Sequence, residues 1–175
     1  MEKKKLILFV DSGDTFVDES TEIRDARGVV VDAQLFPGAA DALRTLHEAG
    51  YPIVMVADGD KESFDNVYSL HHLSDCFDAR VISRELGERK PARAMFQTAM
   101  DALSLTDADK SRVVMLGNNL QRDIVGANRF GIRSILIDCS PRYDMTPHTE
   151  EEKPTYVVHT HEELVALAES LNAQL

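Results

Sequence analysis

Short apolar runs recur along the chain, and segments with the spacing of amphipathic helices separate them. Five runs have the length and composition of strands that are buried on both faces of a sheet. They are residues 6–10, 53–56, 80–82, 113–116 and 135–137. Residues 156–158, near the tail, form a sixth candidate strand.

Helices are predicted between these strands, and one more follows the last strand. The first follows Phe36 and ends at Gly50, the second follows Lys61, the third follows Pro91, and the fourth runs from Asn119 to Gly131. Residues 160–163 (THEE) have the form of a capping box that begins the last helix. The alternation predicts an α/β fold with a doubly wound parallel sheet, and the length suits one domain over residues 1–175.

The composition limits the classes of partner. The formal net charge is -11, which argues against binding to nucleic acids or to anionic membrane surfaces. Apolar stretches are all too short to span a bilayer. Cys76 and Cys139 lack the spacing of a metal site or a disulfide framework, so we expect reduced thiols in a cytoplasmic protein.

Polar residues follow the predicted strands at the points where the strands end. In open α/β sheets ligands bind beyond these carboxyl ends, so the residues there are candidates for chemistry. Four stretches stand out: DSGDT at 11–15, ADG at 57–59, KP at 90–91 and GNNLQRD at 117–123. Each alone is typical of turns or of a solvated surface, and it is their order along the chain that indicates a site.

Together the four stretches resemble the motifs of the haloacid dehalogenase-like (HAD) hydrolase superfamily, in a capless subgroup with variant motifs. That superfamily has a nucleophilic aspartate after the first strand, a serine or threonine after the second, a lysine before a later helix, and acidic metal ligands after the fourth strand. The resemblance extends from Leu6 to about Asp138. It implies a Rossmann-like core and a Mg²⁺-dependent phosphatase that acts on a phosphorylated substrate.

The resemblance also implies a role for each matching residue. Asp11 matches the nucleophile that would form an aspartyl-phosphate, and Lys90 matches the lysine that balances charge there. The positions implied to bind substrate are Thr15, Ala57, Asp58 and Lys90. The implied Mg²⁺ ligands are Asp11, the carbonyl of Gly13, Asn118 and Asp123.

One departure from the family pattern removes the general acid. Gly13 stands where the family phosphatases have the aspartate that protonates the leaving group and activates water, a function typically worth about 10²–10⁴-fold in rate. Asp14 and Asp58 are both open as replacements. For Asp14 we prefer a loop-capping or salt-bridging role, because aspartate is common in turns.

Two further departures concern the phosphoryl group and the metal. Ala57 lacks the hydroxyl donor of the family, a loss worth about 10²–10³-fold, although backbone N–H groups near Asp58 and Gly59 can still donate. Asn118 offers an uncharged oxygen where a carboxylate is usual.

A large cap domain is not expected. Residues 16–36 separate the nucleophile loop from the helix at Pro37, which is room for a small β-flap with a strand at 28–31. The resulting open site favours a large phosphorylated substrate, or a partner subunit that covers it. The loop at residues 140–143 is another candidate cover, in which we expect Arg142 to be a surface residue rather than a phosphate ligand.

Other functions stay open beside the phosphatase. The three departures also suit a non-catalytic regulatory or binding protein, because fold does not fix function, whereas the retained Asp11, Lys90 and Asp123 oppose that interpretation. A receiver domain ranks last, because its phosphorylated aspartate follows the third strand. A dehalogenase for small halo-acids would need the closed pocket that a cap provides.

We predict that this chain binds Mg²⁺ more weakly than standard members of the family do. The physical reason is that Asn118 contributes no charge, so that Asp11 and Asp123 are the charged ligands. A titration of Mg²⁺ into the metal-free protein measures the affinity, and tight, micromolar binding would contradict the prediction.

Overall fold

The computed structural model describes residues 4–140 and 142–175. Its main sheet has six parallel strands in the order β5-β4-β1-β6-β7-β8. These strands are β1 Ile7–Val10, β4 Ile53–Ala57, β5 Ala79–Ile82, β6 Val113–Gly117, β7 Arg133–Ile137 and β8 Tyr156–Val158. All six predicted strands are present, with ends that differ by at most two residues from the predicted ones.

Six α-helices accompany the sheet in the described part of the chain. They are α1 Ala39–Glu48, α2 Lys61–Leu70, α3 Ser83–Leu86, α4 Arg93–Ala102, α5 Val125–Phe130 and α6 His161–Ala173. The segment predicted as one helix after Asn119 is divided, because a π-helical turn, Leu120–Ile124, precedes α5. At the start of α6 the hydroxyl of Thr160 accepts from the N–H of Glu163, but the Glu163 carboxylate accepts from His159 rather than from Thr160, so only half of the predicted capping box forms.

Helices cover both faces of the sheet, and the central strand shows how the core is divided. Leu8 and Val10 of β1 pack into the cluster formed by α1, α2 and α6, whereas Ile7 and Phe9 pack against α4 and α5. Each fully buried side chain of this kind contributes roughly 1.5–3 kcal/mol. The sequence of β1 is continuously apolar because both faces of the strand are buried.

The strand order creates a switch point beside β1. The chain leaves β1 toward β4 and β5 on one side and then returns to β6 on the other side. The carboxyl ends of β1 and β6 are adjacent, and the N–H of Asp11 donates to the carbonyl of Leu116 at 2.9 Å. Ligands of doubly wound sheets bind in the crevice at such a point.

A small flap lies between β1 and α1. It consists of β2, Ile23–Arg24, paired antiparallel with β3, Val30–Asp32. Three side-chain contacts attach the flap to α2. Ser63 Oγ accepts from the N–H of Val30 at 2.9 Å, Asn66 Nδ2 donates to the carbonyl of Val30 at 3.0 Å, and Arg27 in the turn of the flap pairs with Glu62 at 2.6 Å. The prediction of a small flap is confirmed, with its strand at Val30–Asp32 rather than at residues 28–31, and the described residues contain no large cap domain.

Cys76 is buried and Cys139 is partly exposed, and both are free thiols. Across the described ranges, the helices are too short or too polar to cross a bilayer.

We expect Ser63→Ala to loosen the flap at Val30 while leaving the sheet intact. The N–H of Val30 loses its acceptor, which is worth about 1 kcal/mol and therefore speeds its hydrogen exchange by roughly fivefold to tenfold. Native-state exchange of the Val30 amide is the measurement, and the amides of β1 serve as the internal reference. Ser69→Ala at the far end of α2 is the matched control, and equal acceleration in both variants would contradict the attachment.

Candidate active site

The segment after β1 folds into a tight loop that presents Asp11. The N–H groups of Thr15, Phe16 and Val17 all converge on the carbonyl of Ser12, at 2.9–3.2 Å. This turn brings Thr15 back to the start of the loop, where its hydroxyl donates to Asp11 Oδ2 at 3.2 Å. The Asp11 carboxylate is thus held from one side at the carboxyl end of the sheet.

Lys90 lies between two carboxylates that come from different strands. Its Nζ donates to Asp11 Oδ1 at 2.7 Å and to Asp123 Oδ1 at 2.6 Å, and its side chain is only 2% exposed. Burial by itself lowers the pKa of an ammonium, but the negative charges of Asp11 and Asp123 outweigh it and hold the pKa of Lys90 above its usual value. Lys90 is therefore a fixed positive charge beside Asp11.

The π-helical turn after β6 positions Asp123. Its Oδ2 accepts from the N–H of Asn119 at 3.0 Å, and its other oxygen accepts from Lys90. A Cβ at Gly117 would lie 2.5 Å from the Cβ of Asp123, so this close approach requires glycine at the end of β6. Burial raises the pKa of Asp123 to about 6, because the charge of Asp11 adds to the desolvation and Lys90 only partly compensates.

The loop after β4 supports Lys90 through its backbone. Asp58 Oδ1 accepts from the N–H of Lys90 at 3.1 Å, while its buried Oδ2 makes no hydrogen bond with the described residues and lies 3.6 Å from Arg122 Nη1. Ala57, the last residue of β4, is buried. The N–H of Gly59 donates to Ser83 Oγ at 2.9 Å, so this group is not the free phosphoryl donor that we expected.

The residues expected to hold Mg²⁺ supply oxygen ligands of the right chemistry. Asp11, Asn118 and Asp123 are all buried around the switch point, and the amide nitrogen of Asn118 has no hydrogen-bond partner among the described residues. This unpaired Nδ2 is a hydrogen-bond donor that suits an anionic ligand, whereas Oδ1 of Asn118 is the atom that would bind a cation. In the described part of the chain no three His, Cys, Asp or Glu side chains are grouped as for a metal ion. The donor set fits Mg²⁺ through two carboxylates, an amide and the Gly13 carbonyl.

Asp14 has the salt-bridging role that we preferred for it. The residue is buried in a left-handed conformation, with a φ of 51°. Its Oδ1 accepts from the N–H of Glu19 at 3.2 Å, and its Oδ2 accepts from Arg142 Nη1 at 3.0 Å. Both oxygens are therefore engaged in joining the nucleophile loop to its surroundings.

Arg142 is exposed, as expected of a surface residue, and the same Nη1 also pairs with Glu19. In the candidate cover loop at 140–143, Pro141 lies outside the described residues.

Glu19 is a residue of this region that the sequence patterns did not indicate. It begins a 3-10 turn, Glu19–Thr21, and burial together with the charge of Asp14 raises its pKa above the ordinary value in spite of Arg142.

Further missed residues support the loop from behind. Ser12 Oγ and the hydroxyl of the fully buried Tyr68 are 2.9 Å apart, and His161 Nε2 lies 2.8 Å from the carbonyl of Thr15. Arg122 Nη2 donates to the hydroxyl of Tyr143 at 3.0 Å. Arg122 falls within the GNNLQRD stretch, whereas the contacts of Tyr68 and His161 bridge long separations in the chain and leave no local signal.

The chain is similar in sequence to known hydrolases. The sequence model of a family described as haloacid dehalogenase-like hydrolase matches residues 4–131. A ribulose-1,5-bisphosphate 5-phosphatase from Halopiger xanaduensis is 32% identical over 115 residues, which are 66% of this chain and 47% of that protein. The chain spans about half the length of the curated relatives that it matches.

Solved structures show the same fold. An uncharacterized protein from Listeria monocytogenes serotype 4b superimposes with a TM-score of 0.75 at 21% identity, over 96% of this chain and 99% of that one. The HAD-hydrolase YfnB from Bacillus subtilis, whose crystal structure is described as bound to magnesium, gives a TM-score of 0.67 at 23% identity, over 77% of this chain and 56% of that one.

Replacing the buried cation should destabilise the fold strongly. In Lys90→Met, Asp11 and Asp123 lose their shared partner, and we expect the free energy of unfolding to fall by about 3–5 kcal/mol at pH 8 in EDTA. The loss should be smaller at pH 5, because the pKa of Asp123 is already about 6 in the wild type and rises further without Lys90, so that this carboxyl is neutral there. Urea unfolding at both pH values measures it.

The matched control is Lys61→Met on α2. Lys61 forms an exposed ion pair with Asp65, and the expected loss is under about 1 kcal/mol at either pH. A loss for Lys90→Met that equals the control, or that does not depend on pH, would contradict the assignment of Lys90 as the charge that holds the two carboxylates together.

Proposed function

The chain belongs to the haloacid dehalogenase-like hydrolase family, and from this premise we propose that it hydrolyses phosphate monoesters with Asp11 as the nucleophile. The observation that carries the proposal is the position of the Asp11 carboxylate. Thr15 and Lys90 each donate to one of its oxygens at the switch point of the sheet. Such a carboxylate is oriented for attack, and its negative charge is balanced.

Each neighbouring residue has a distinct task in this reaction. The hydroxyl of Thr15 fixes the rotation of the Asp11 carboxylate, so that one lone pair faces the phosphorus atom. Lys90 stabilises the charge that develops as the phosphoryl group is transferred to Asp11. Asp58 holds the backbone of Lys90, and the unpaired amide of Asn118 offers a polar contact in the same crevice.

Mg²⁺ is the cofactor that suits this site. Asp11, the Gly13 carbonyl, Asn118 and Asp123 would hold it, and when bound it would neutralise charge on the phosphoryl oxygens. The magnesium of YfnB and the phosphatase activity in the name of the Halopiger relative support this assignment.

We infer that the substrate is a phosphorylated molecule that is not fully enclosed. The flap of β2 and β3 is small and is attached to α2, so a large substrate or a partner subunit would have to exclude water from the site. The acidic composition continues to argue against nucleic acids and anionic membranes. We propose a cytoplasmic location, because both cysteines are free thiols, as is usual in a reducing compartment.

The alternative is a non-catalytic binding protein on the same fold. It is favoured by the residues that replace family groups at three site positions, namely Gly13, Ala57 and Asn118. The two functions make different predictions for a covalent intermediate, because a binding protein forms none.

We expect Asp11→Asn to abolish Mg²⁺-dependent hydrolysis of a generic aryl phosphate and of acetyl phosphate, by roughly 10⁴–10⁶-fold as for other covalent nucleophiles. The wild type should also yield an acid-stable phosphoenzyme that hydroxylamine cleaves, as an acyl phosphate requires. Steady-state rates and mass spectrometry of the quenched protein measure the two.

Asp41→Asn is the control, because Asp41 is exposed on α1 and has no role in the proposed site. Unchanged activity in Asp11→Asn would contradict Asp11 as the nucleophile. A folded wild type with neither turnover nor phosphoenzyme would favour the binding protein.

A further inference from the structure

A proton donor is needed beside Asp11 if the proposed reaction is to release an alkoxide. Attack on phosphorus breaks the bond to the ester oxygen, and an oxygen of high basicity leaves slowly unless it is protonated as it departs. Gly13, two residues after Asp11, has no side chain to do this. The structure nevertheless places a carboxyl group at that position.

The carboxyl group of Glu19 fills the space that a side chain at position 13 would occupy. A Cβ built on Gly13 would overlap Glu19 Oε1, and it would lie 2.7 Å from Glu19 Cδ and 3.1 Å from Glu19 Cγ. The Glu19 carboxylate can therefore lie this close to the backbone only because residue 13 is glycine. A carboxyl group is thus present beside the loop, but it comes from a different residue.

Neighbouring groups hold Glu19 in this position. Its N–H donates to Asp14 Oδ1 at 3.2 Å, and its carboxylate pairs with Arg142, which also binds Asp14 at 3.0 Å. The Glu19 side chain lines a cavity of about 400 Å³ together with Ser140 and Arg142, so there is space beside it for a ligand.

The other two candidate acids are engaged elsewhere. Both oxygens of Asp14 have partners, Glu19 and Arg142, and Asp58 binds the backbone of Lys90 while its second oxygen faces Arg122. Apart from its own chain neighbours, the atoms nearest to a Cβ at Gly13 all belong to Glu19.

We propose that Glu19 is the general acid and base of this enzyme, a role that rests on the proposed phosphatase function. In the first step an oxygen of Asp11 bonds to phosphorus, the bond from phosphorus to the ester oxygen breaks, and that oxygen takes the proton of the Glu19 carboxyl. In the second step Glu19 accepts a proton from water, the water oxygen bonds to phosphorus, and the bond to Asp11 breaks. Alcohol and inorganic phosphate are released, and Glu19 is again protonated.

The test compares leaving groups in a single turnover of Glu19→Gln. With 2,4-dinitrophenyl phosphate, whose leaving group needs no proton, we expect the first-turnover rate to change less than about fivefold. With phenyl phosphate the rate should fall by about 10²–10³-fold. Glu22→Gln, which removes a charge from the same segment, is the matched control and should behave as the wild type does with both esters.

A rescue experiment separates catalysis from support of the loop. Gly13→Ala should displace the Glu19 carboxylate and reproduce the selective loss on phenyl phosphate. The double variant Gly13→Asp with Glu19→Ala places a carboxyl at position 13 and frees the space for it. Its first-turnover rate on phenyl phosphate should be at least tenfold higher than that of Glu19→Gln.

The outcomes distinguish this inference from the function on which it rests. If Glu19→Gln hydrolyses both esters at the wild-type rate, or loses both equally without rescue by the double variant, the role of Glu19 is overturned while the Asp11 mechanism stands. If the folded wild type forms no phosphoenzyme with either ester, the proposed function has failed, and the role of Glu19 fails with it.

Discussion

The buried ammonium of Lys90 is the constraint on which the site depends. Transferring an ammonium from water into a protein interior costs several kcal/mol unless opposite charges and hydrogen bonds replace its hydration. Asp11 and Asp123 provide both, at 2.7 and 2.6 Å. β1, the π-helical turn and the loop before α4 must therefore be placed so that the side chains of Asp11, Asp123 and Lys90 lie within hydrogen-bonding distance. Asp58 helps to fix this arrangement, because its carboxylate accepts a hydrogen bond from the backbone N–H of Lys90.

The charge balance at this point also explains why the site remains receptive to ligands. Two carboxylates share one ammonium, which leaves an excess of negative charge, and burial together with the charge of Asp11 raises the pKa of Asp123 to about 6. A cation or a protonated group would relieve that excess. The unpaired amide of Asn118 and the unpaired oxygen of Asp58 leave further hydrogen-bonding capacity in the same region. The site is well fixed in structure but not fully satisfied in charge or in hydrogen bonds.

Sequence patterns predict the fold well because the sheet is buried on both faces. The apolar runs located all six strands, and the polar stretches at strand ends named Asp11, Lys90 and Asp123, which the structure brings together. The π-helical turn before α5 was not predicted, since periodicity alone does not separate it from an α-helix. Glu19 escaped prediction for a different reason. Its position next to Gly13 depends on an ion pair with Arg142, which lies more than 120 residues away in the sequence.

The spacing of the site residues along the chain has a consequence for how the protein acquires its native structure. Lys90 is 79 residues from Asp11 and 33 residues from Asp123, so each of its ion pairs closes a long loop. Loop closure of this kind costs entropy before the contact stabilises anything, which favours late formation along a folding pathway. An intermediate that contains only one half of the sheet has no buried place for the ammonium. Burial of Lys90 thus couples both halves of the sheet into one cooperative unit, in which the groups of the site form together with the last tertiary contacts.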